Sequence, residues 1–173
     1  VGGLLLPVPQ LPILEQSIRN LNYHVPMWFG MLVLLIASAI YGAKGLMEKN
    51  LVHDIKSESY AKVGMLFGAM GLVTGMIWAK NTWGDFWTND PKLNSAAIGM
   101  LMYAAYFVLR SSIEDEEKKA RISAVYNLFC LPVFIVLIFV LPRLTASLHP
   151  GNGGNPGFNS YDLDSRLRMV FYP

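Results

Sequence analysis

The sequence predicts an all-α polytopic membrane protein, a bundle of transmembrane helices, from three observations. The chain is 53% apolar and only 15% charged, whereas soluble domains carry about 25% charged residues. Its apolar residues are concentrated in blocks close to the length of about 20 residues that crosses a bilayer. Small residues recur four apart within one block, as in helices that pack closely in lipid. The expected surroundings of the chain are therefore a lipid bilayer.

Four apolar blocks predict four complete spans, at about residues 25–43, 63–79, 93–109 and 122–142. Residues 1–6 are apolar but too short to span, and residues 169–172 resemble the start of another helix. We therefore expect further spans, truncated at each end. Since no internal repeat is present, residues 1–173 are predicted to form a single membrane domain.

Single residues inside the spans give more detailed expectations. Pro26 suits the first turn of the first span, where its missing N–H leaves no bond unmade. Pro132 predicts a kink in the fourth span. Asn127 needs a hydrogen-bonding partner on another helix, and Cys130 should pack as a small apolar residue. In the second span, Gly64 and Gly68, like Gly71 and Gly75, predict close approach of a neighbouring helix.

Three polar or amphipathic segments flank the spans. Residues 13–21 have helical apolar spacing, which predicts a short helix lying on the membrane surface. Residues 48–59 predict a solvated loop or surface helix. In residues 114–121 acids precede bases, which favours pairs such as Glu114–Lys118 in a solvated helical hairpin.

Composition excludes several classes of function. The net charge of +2 is too small to indicate nucleic acid binding. A single cysteine allows neither a disulfide within the chain nor a Cys-x-x-Cys redox pair. The absence of Cys-x-x-Cys-His likewise excludes covalent c-type haem on this chain.

The central feature is the aromatic stretch of residues 83–94, Trp-Gly-Asp-Phe-Trp-Thr-Asn-Asp-Pro-Lys-Leu-Asn, between the second and third spans. Two interpretations fit it. It is an aromatic belt, because Trp and Tyr gather at membrane boundaries, or it is a flat surface that receives a flat apolar ligand. The spacing alone leaves both open.

Four spans place successive loops on alternate sides of the membrane. His24, the aromatic stretch and His149 then share one side, and His53 and residues 114–121 share the other. Lysine and arginine are more frequent near the span ends on the His53 side, so this side is predicted to be cytoplasmic.

Two histidines beside an aromatic surface indicate which kinds of ligand the site could bind. Two neutral imidazoles can ligate a haem iron from opposite faces while aromatic rings pack against the porphyrin. Zinc is less suited, because a structural site wants four ligands and no cysteine accompanies these histidines. A bis-histidine electron-transfer cytochrome b and a structural subunit with an aromatic belt remain alternatives.

In these segments the chain resembles the haem exporter protein C family of cytochrome c maturation. That family carries Trp-Gly-x-x-Trp-x-Trp-Asp-x-x-Leu-Thr between two spans, His-Val-Pro at an earlier span and Leu-His-x-Gly in a later outer loop. The matching segments are Trp83–Asn94, His24–Pro26 and Leu148–Gly151, in the same order and spacing. Two residues depart from the pattern: Asn89 replaces a third tryptophan and Asn94 replaces threonine.

The resemblance implies a haem-handling protein, not an enzyme, that binds haem b non-covalently and transiently. It implies a site on the extracytoplasmic face of a bacterial inner membrane, open to the periplasm. His24 and His149 would be the axial ligands of the haem iron, and the other haem-contacting residues would be Trp83, Gly84, Phe86, Trp87 and Asp90. The implied partners are a haem chaperone and the subunits of an ABC-type membrane complex. Haem-lyase members of the same superfamily share the motif but have more spans, and they remain an alternative.

Overall fold

Four long helices dominate the computed structural model, which describes residues 15–149. They are α1 (Leu21–Glu48), α2 (Leu51–Trp83), α3 (Pro91–Ser111) and α4 (Glu116–Ile135). A short 3-10 helix, Glu15–Asn20, precedes α1, and α4 continues through a π-helical turn, Val136–Val140, into α5 (Leu141–Leu144). All four long segments have the length and composition to cross a membrane. The prediction of an all-helical membrane bundle is confirmed.

Of the two alternatives predicted for residues 48–59, a solvated loop or a surface helix, the structure has a helix that is continuous with the second span. Asn50 caps α2 by accepting a hydrogen bond from the backbone N–H of Val52 at 2.9 Å, and the helix begins at Leu51. Most of the segment therefore forms the first turns of α2. Asp54 within it is buried, because it pairs with an arginine of another helix.

The segment before α1 differs from the predicted surface helix. Residues 13 and 14 lie outside the described residues, and Glu15–Asn20 form a 3-10 helix that runs directly into α1. Ile18 and Leu21 are buried inside the protein. The apolar side of this segment thus packs on α1 and α2.

The two prolines lie within helices. Because α1 begins at Leu21, Pro26 lies beyond its first turn, contrary to the prediction, and it cannot donate to the carbonyl of Asn22. Pro132 lies inside α4, and the helix becomes π-helical from Val136 to Val140. The helix is thus irregular one turn after its proline, and the kink stays a prediction.

The antiparallel contact of α1 with α2 is the most extensive in the fold and is organised by four glycines. Gly64 faces Leu35, Gly68 faces Met31, Gly71 faces Trp28 and Gly75 faces His24. At Gly75 an added Cβ would lie 2.8 Å from Cε1 of the histidine ring. The predicted close approach is confirmed, and it seats His24 against the backbone of α2.

A buried hydrogen-bond network crosses the middle of the bundle. Asn127 of α4 donates to Oγ of Ser38 at 2.7 Å and accepts from the hydroxyl of Tyr103 at 3.3 Å. Ser38 and Ser57 bond each other's carbonyls at 2.6 and 2.8 Å. The prediction that Asn127 needs partners on other helices is confirmed. Cys130 is buried in the adjoining apolar core, as predicted.

A buried ion pair joins α2 to α3 at the end of the bundle that holds the α1–α2 connection. Arg110 makes two parallel hydrogen bonds to Asp54, at 2.7 and 2.8 Å, and reaches Glu58 at 3.3 Å. Arg110 and Asp54 are 5% and 6% exposed. A pair this deeply buried needs both partners, because either charge alone is costly in a low-dielectric interior.

The charge run at residues 114–121 is helical only from Glu116 onward. Asp115 caps α4 by accepting from the backbone N–H of Lys118 at 2.7 Å. Glu114 therefore lies before the helix and cannot pair with Lys118 across one turn as predicted. The ion pair that forms there joins Glu116 to Lys119 at 2.7 Å.

Candidate functional site

The C-terminal end of α2 gathers the two histidines that the sequence singled out. The ring of His24 lies edge-on to Trp78, with centroids 6.1 Å apart. The ring of His149 lies edge-on to Trp83, with centroids 5.0 Å apart. Because both tryptophans belong to the last turns of one helix, the first turn of α1 and the residues after α5 meet at one end of the bundle.

His24 is held in one tautomer by α2. Its Nδ1 lies 3.0 Å from the carbonyl oxygen of Gly71 and 3.2 Å from Oγ1 of Thr74. A carbonyl oxygen only accepts, so Nδ1 must carry the proton. Within residues 15–149 no hydrogen bond is made to Nε2 of this ring. Nε2 therefore has a lone pair for a ligand, in the arrangement that is usual for metal-bound histidines.

His149 is held in the same way by Asp90. Its Nδ1 donates to Oδ1 of the carboxylate at 2.9 Å. No hydrogen bond to Nε2 of His149 comes from the part of the chain that the structure describes. A carboxylate behind an imidazole fixes the orientation of the ring and makes the other nitrogen a stronger ligand.

Asp90 also ties two segments of the chain together. It caps α3 by accepting from the backbone N–H of Lys92 at 2.9 Å and of Leu93 at 3.3 Å. Its other oxygen accepts from Oγ of Ser147 at 2.8 Å and from the N–H of Leu148 at 2.7 Å. The carboxylate is 3% exposed, and its oxygens face groups of the chain. The structure thus gives Asp90 a positioning role beside His149.

The hydrogen bonds to Asp90 also set its charge. Burial alone raises the pKa of this carboxyl, but the donors from His149, Leu148 and Ser147 outweigh burial and hold the pKa well below its usual range. Asp90 is therefore an anion throughout the physiological pH range. As an anion it can only accept, which keeps the proton of His149 on Nδ1.

The aromatic stretch leaves α2 through Gly84. This residue has a φ of +92°, in the left-handed region, and its N–H bonds the carbonyl of Lys80 at 3.2 Å to close the helix. Gly84 therefore ends the helix and turns the chain. The ammonium of Lys80 bonds the carbonyl of Gly84 at 2.6 Å and lies 5.7 Å from the ring centroid of Phe86.

Phe86 and Trp87, the other two aromatic residues that are predicted to contact haem, are more exposed than Trp83. Phe86 is 53% exposed and Trp87 is 42% exposed, while Trp83 is half-buried against His149. Asn89, which stands in place of a third tryptophan, accepts from the side-chain amide of Asn94 at 2.8 Å. The loop thus presents two exposed aromatic rings, and Trp83 before it contacts His149.

Three buried polar atoms in this region have no hydrogen-bond partner among residues 15–149. They are Nε1 of Trp78, Oγ1 of Thr82 and Oγ1 of Thr88. Buried polar groups are almost always paired in native proteins. Thr88 also lines a cavity of about 230 Å³ that adjoins Asp90 and Leu148. The end of the bundle that holds the two histidines therefore contains polar groups that the described residues leave unsatisfied.

Sequence reasoning missed the residues that seat His24. Trp28 lies edge-on to the histidine ring at 6.2 Å, and Gly71, Thr74 and Gly75 form the wall of α2 behind it. The glycine spacing was visible as a packing signal. Its relation to His24 depends on the register of two helices, which composition and periodicity do not specify.

His53 lies at the other end of the bundle, in the first turn of α2. Its Nε2 pairs with Glu48 at 2.7 Å, and its ring stacks on Tyr41 with centroids 5.8 Å apart. At a rise of about 1.5 Å per residue, the length of α2 separates it from Trp83. His53 is therefore not part of the candidate site.

Comparison with known proteins identifies the family. The sequence profile of the Heme exporter protein C family matches residues 5–152. The chain belongs to this family. Heme exporter protein C of Paracoccus denitrificans is 31% identical over 142 residues, which is 78% of this chain and 56% of that protein. The same protein of Bradyrhizobium diazoefficiens is 30% identical over 113 residues, 65% of this chain and 43% of the relative.

A second group of relatives carries a different name. The Cytochrome c biogenesis protein CcsA of Prochlorococcus marinus is 36% identical over 98 residues, covering 56% of this chain and 30% of that protein. The chain spans about half the length of the curated Heme exporter protein C relatives that it matches. The four helices and the family together identify it as an integral membrane protein.

Proposed function

We propose that the protein binds haem b reversibly and non-covalently and delivers it during cytochrome c maturation, without catalysing a reaction. The main support for the proposal is that two imidazole rings are held in the same tautomer. His24 and His149 each commit Nδ1 to a fixed acceptor, Gly71 O at 3.0 Å and Asp90 Oδ1 at 2.9 Å. Each ring is left with Nε2 as a lone-pair donor, and both rings contact the last turns of α2.

The surroundings of the two imidazoles suit a porphyrin. Trp83, Phe86 and Trp87 offer aromatic faces and edges that an apolar macrocycle can pack against. The N–H of Trp78 and the hydroxyl of Thr82 are buried donors without a partner among the described residues, and they would bond the carboxylates of haem only if these side chains move. An iron with two imidazole ligands takes the low-spin state of bis-histidine haem proteins.

The exposure of the loop favours transfer over permanent retention. Phe86 and Trp87 are exposed, so the aromatic side of the site is accessible to a partner. The named relatives act in haem export and cytochrome c biogenesis. We infer that the acceptor is a haem chaperone of cytochrome c maturation, and that the protein works beside the membrane subunits of an ABC-type complex.

The charge distribution supports one orientation of the site in the membrane. Lysine and arginine are more frequent at the end of the bundle that contains His53 than at the end that contains His24 and His149. Positive residues favour the cytoplasmic side. The haem site would then face the periplasm from the bacterial inner membrane.

Haem titration of the purified protein tests the proposal. We expect a low-spin Soret band in the wild type, which His24→Ala or His149→Ala weakens or shifts toward mixed coordination. His53→Ala is the matched control, because its ring lies at the other end of α2 and should leave the spectrum unchanged. A variant series in which His53→Ala loses haem while His24→Ala keeps it would refute both the ligation and the topology.

A second measurement separates delivery from electron transfer. Haem bound for delivery should pass to an added apo-chaperone and should not be reduced rapidly by quinol. Retention of haem in the presence of the chaperone, together with rapid reduction by quinol, would identify an electron-transfer cytochrome and overturn the proposal.

A further inference from the structure

A groove runs between α1 and α2 at the end of the bundle opposite the histidine site. It encloses about 340 Å³ and is lined by Leu34, Ile55, Lys56, Ser59, Tyr60 and Val63. Ile55 is 61% exposed and Val63 is 45% exposed, so the groove opens to the lateral surface of the four described helices.

The groove is polar at one end and apolar at the other. Lys56 and Val63 are seven residues apart on α2, which separates them by about 10 Å along the helix axis. The lysine is near the helix end, and Leu34 and Val63 lie toward the middle of the spans. Farther along, Leu66 and Val33 continue the exposed apolar surface. This polarity matches an amphipathic ligand lying parallel to the helices.

Two lysines lie near one tyrosine ring beside the polar end of the groove. The ammonium of Lys56 lies 5.3 Å from the ring centroid of Tyr41, and that of Lys44 lies 5.7 Å from the same centroid. Tyr41 stacks on Tyr60 of the groove wall, with centroids 5.4 Å apart and planes at 8°. The stacked rings hold two positive charges near the mouth of the groove.

These two charges have no carboxylate partner among the described residues. The acidic groups of α1 and α2 are committed elsewhere: Glu48 to His53, Asp54 to Arg110 and Glu58 to Lys62. The mouth of the groove therefore has a local excess of positive charge, above a channel of apolar side chains.

We propose that this groove binds one anionic phospholipid, with its phosphate at Lys44 and Lys56. An acyl chain lies along Leu34, Ile55 and Val63. Juxtamembrane lysines attract anionic headgroups, whereas a zwitterionic headgroup would bring its own ammonium toward them. The ligand holds α1 against α2 at the end of their interface opposite His24.

Native mass spectrometry of the whole protein tests this site, with phosphatidylglycerol and phosphatidylcholine of identical acyl chains as probes. We expect one phosphatidylglycerol to be retained severalfold better than phosphatidylcholine. The double variant Lys44→Gln with Lys56→Gln should abolish that preference. The charge-matched control, Lys49→Gln with Lys118→Gln, alters exposed lysines at the same end and should keep it.

A further variant tests the apolar half of the site. Val63→Trp fills the groove beside Leu34 and should lower the retention of both lipids. Equal retention of the two lipids by the wild type, or an equal loss of preference in the control pair, would overturn the proposal. So would unchanged retention in Val63→Trp, or displacement of the lipid by excess inorganic phosphate. Haem titration of the same variants should be unchanged, so the result is independent of the proposed haem function.

Discussion

Asp90 and His149 are joined by a hydrogen bond of 2.9 Å between a carboxylate oxygen and Nδ1 of the imidazole. They are far apart in sequence, and the bond closes the loop after α5 onto the N-terminus of α3. The same carboxylate thus starts a helix and orients a candidate ligand. The position of His149 therefore depends on the integrity of the α3 cap.

We expect Asp90→Asn to weaken haem binding by about 10- to 100-fold, the usual effect of removing the carboxylate behind a metal-bound histidine. The neutral amide can also donate, so it no longer fixes the proton of His149 on Nδ1. The measurement is haem affinity by titration. Asp85→Asn, in the exposed part of the same loop, is the control and should bind as the wild type does. Equal affinity in the two variants would exclude the positioning role.

The lowered pKa of Asp90 predicts a pH dependence of stability. Burial raises this pKa, but the hydrogen bonds from His149, Leu148 and Ser147 bring it below the unfolded value of about 3.9. The stabilisation is therefore fully present above that value and is lost as the pH falls toward the folded pKa. Thermal unfolding in detergent should show wild type above Asp90→Asn at pH 7, with the gap narrowing below about pH 4. A gap that stays constant to low pH would contradict the assignment.

The fold was predictable because its signals are local. Apolar blocks and their terminating charges locate the four helices, with predicted ends two to six residues short of the observed ones everywhere except at the start of α2. The second helix is the exception, because the segment at residues 48–59 contains Asp54 and Glu58. Helix α2 accommodates this segment since Arg110, far away in sequence, neutralises both acids. A pairing of this kind has no signature in local composition.

The site was predictable only in part, for a similar reason. Histidines and tryptophans are visible as residue types, and the parity of the spans brings His24 and His149 to one end. The acceptors that fix their tautomers are a backbone carbonyl of Gly71 and a capping carboxylate. Every residue has a carbonyl, so the role of Gly71 arises only from the register of α1 against α2.

The ion pair of Arg110 with Asp54 gives a prediction about stability alone. Arg110→Met leaves the carboxylate of Asp54 buried without a partner, which should cost about 3–5 kcal/mol. Adding Asp54→Leu removes the orphaned charge and should recover most of that loss, because two apolar side chains are close to neutral in such a position. Thermal unfolding of wild type, single and double variants measures both effects. If the double variant is no more stable than Arg110→Met, the loss of stability does not come from the unpaired charge of Asp54.

The contact of Gly75 with His24 gives the sharpest test of how the site is built. In Gly75→Ala the new methyl group would lie 2.8 Å from Cε1 of His24, so the ring must move away from its acceptor on Gly71. Overpacking of this kind costs about 1–3 kcal/mol. We expect haem affinity to fall, because the ring that moves is the candidate axial ligand.

Gly68→Ala separates this effect from a general loss of helix packing. Its added Cβ would lie 2.5 Å from the sulfur of Met100 on α3 and 2.6 Å from the sulfur of Met31 on α1, without contact to His24. We expect it to lower the unfolding temperature while leaving haem affinity close to that of the wild type. Gly45→Ala, whose nearest neighbouring atom would be at an ordinary 3.6 Å, should leave haem affinity unchanged without lowering the unfolding temperature. If Gly68→Ala and Gly75→Ala reduce haem affinity equally, the loss reflects the spacing of the helices, and the seat of His24 against Gly75 has no separate role.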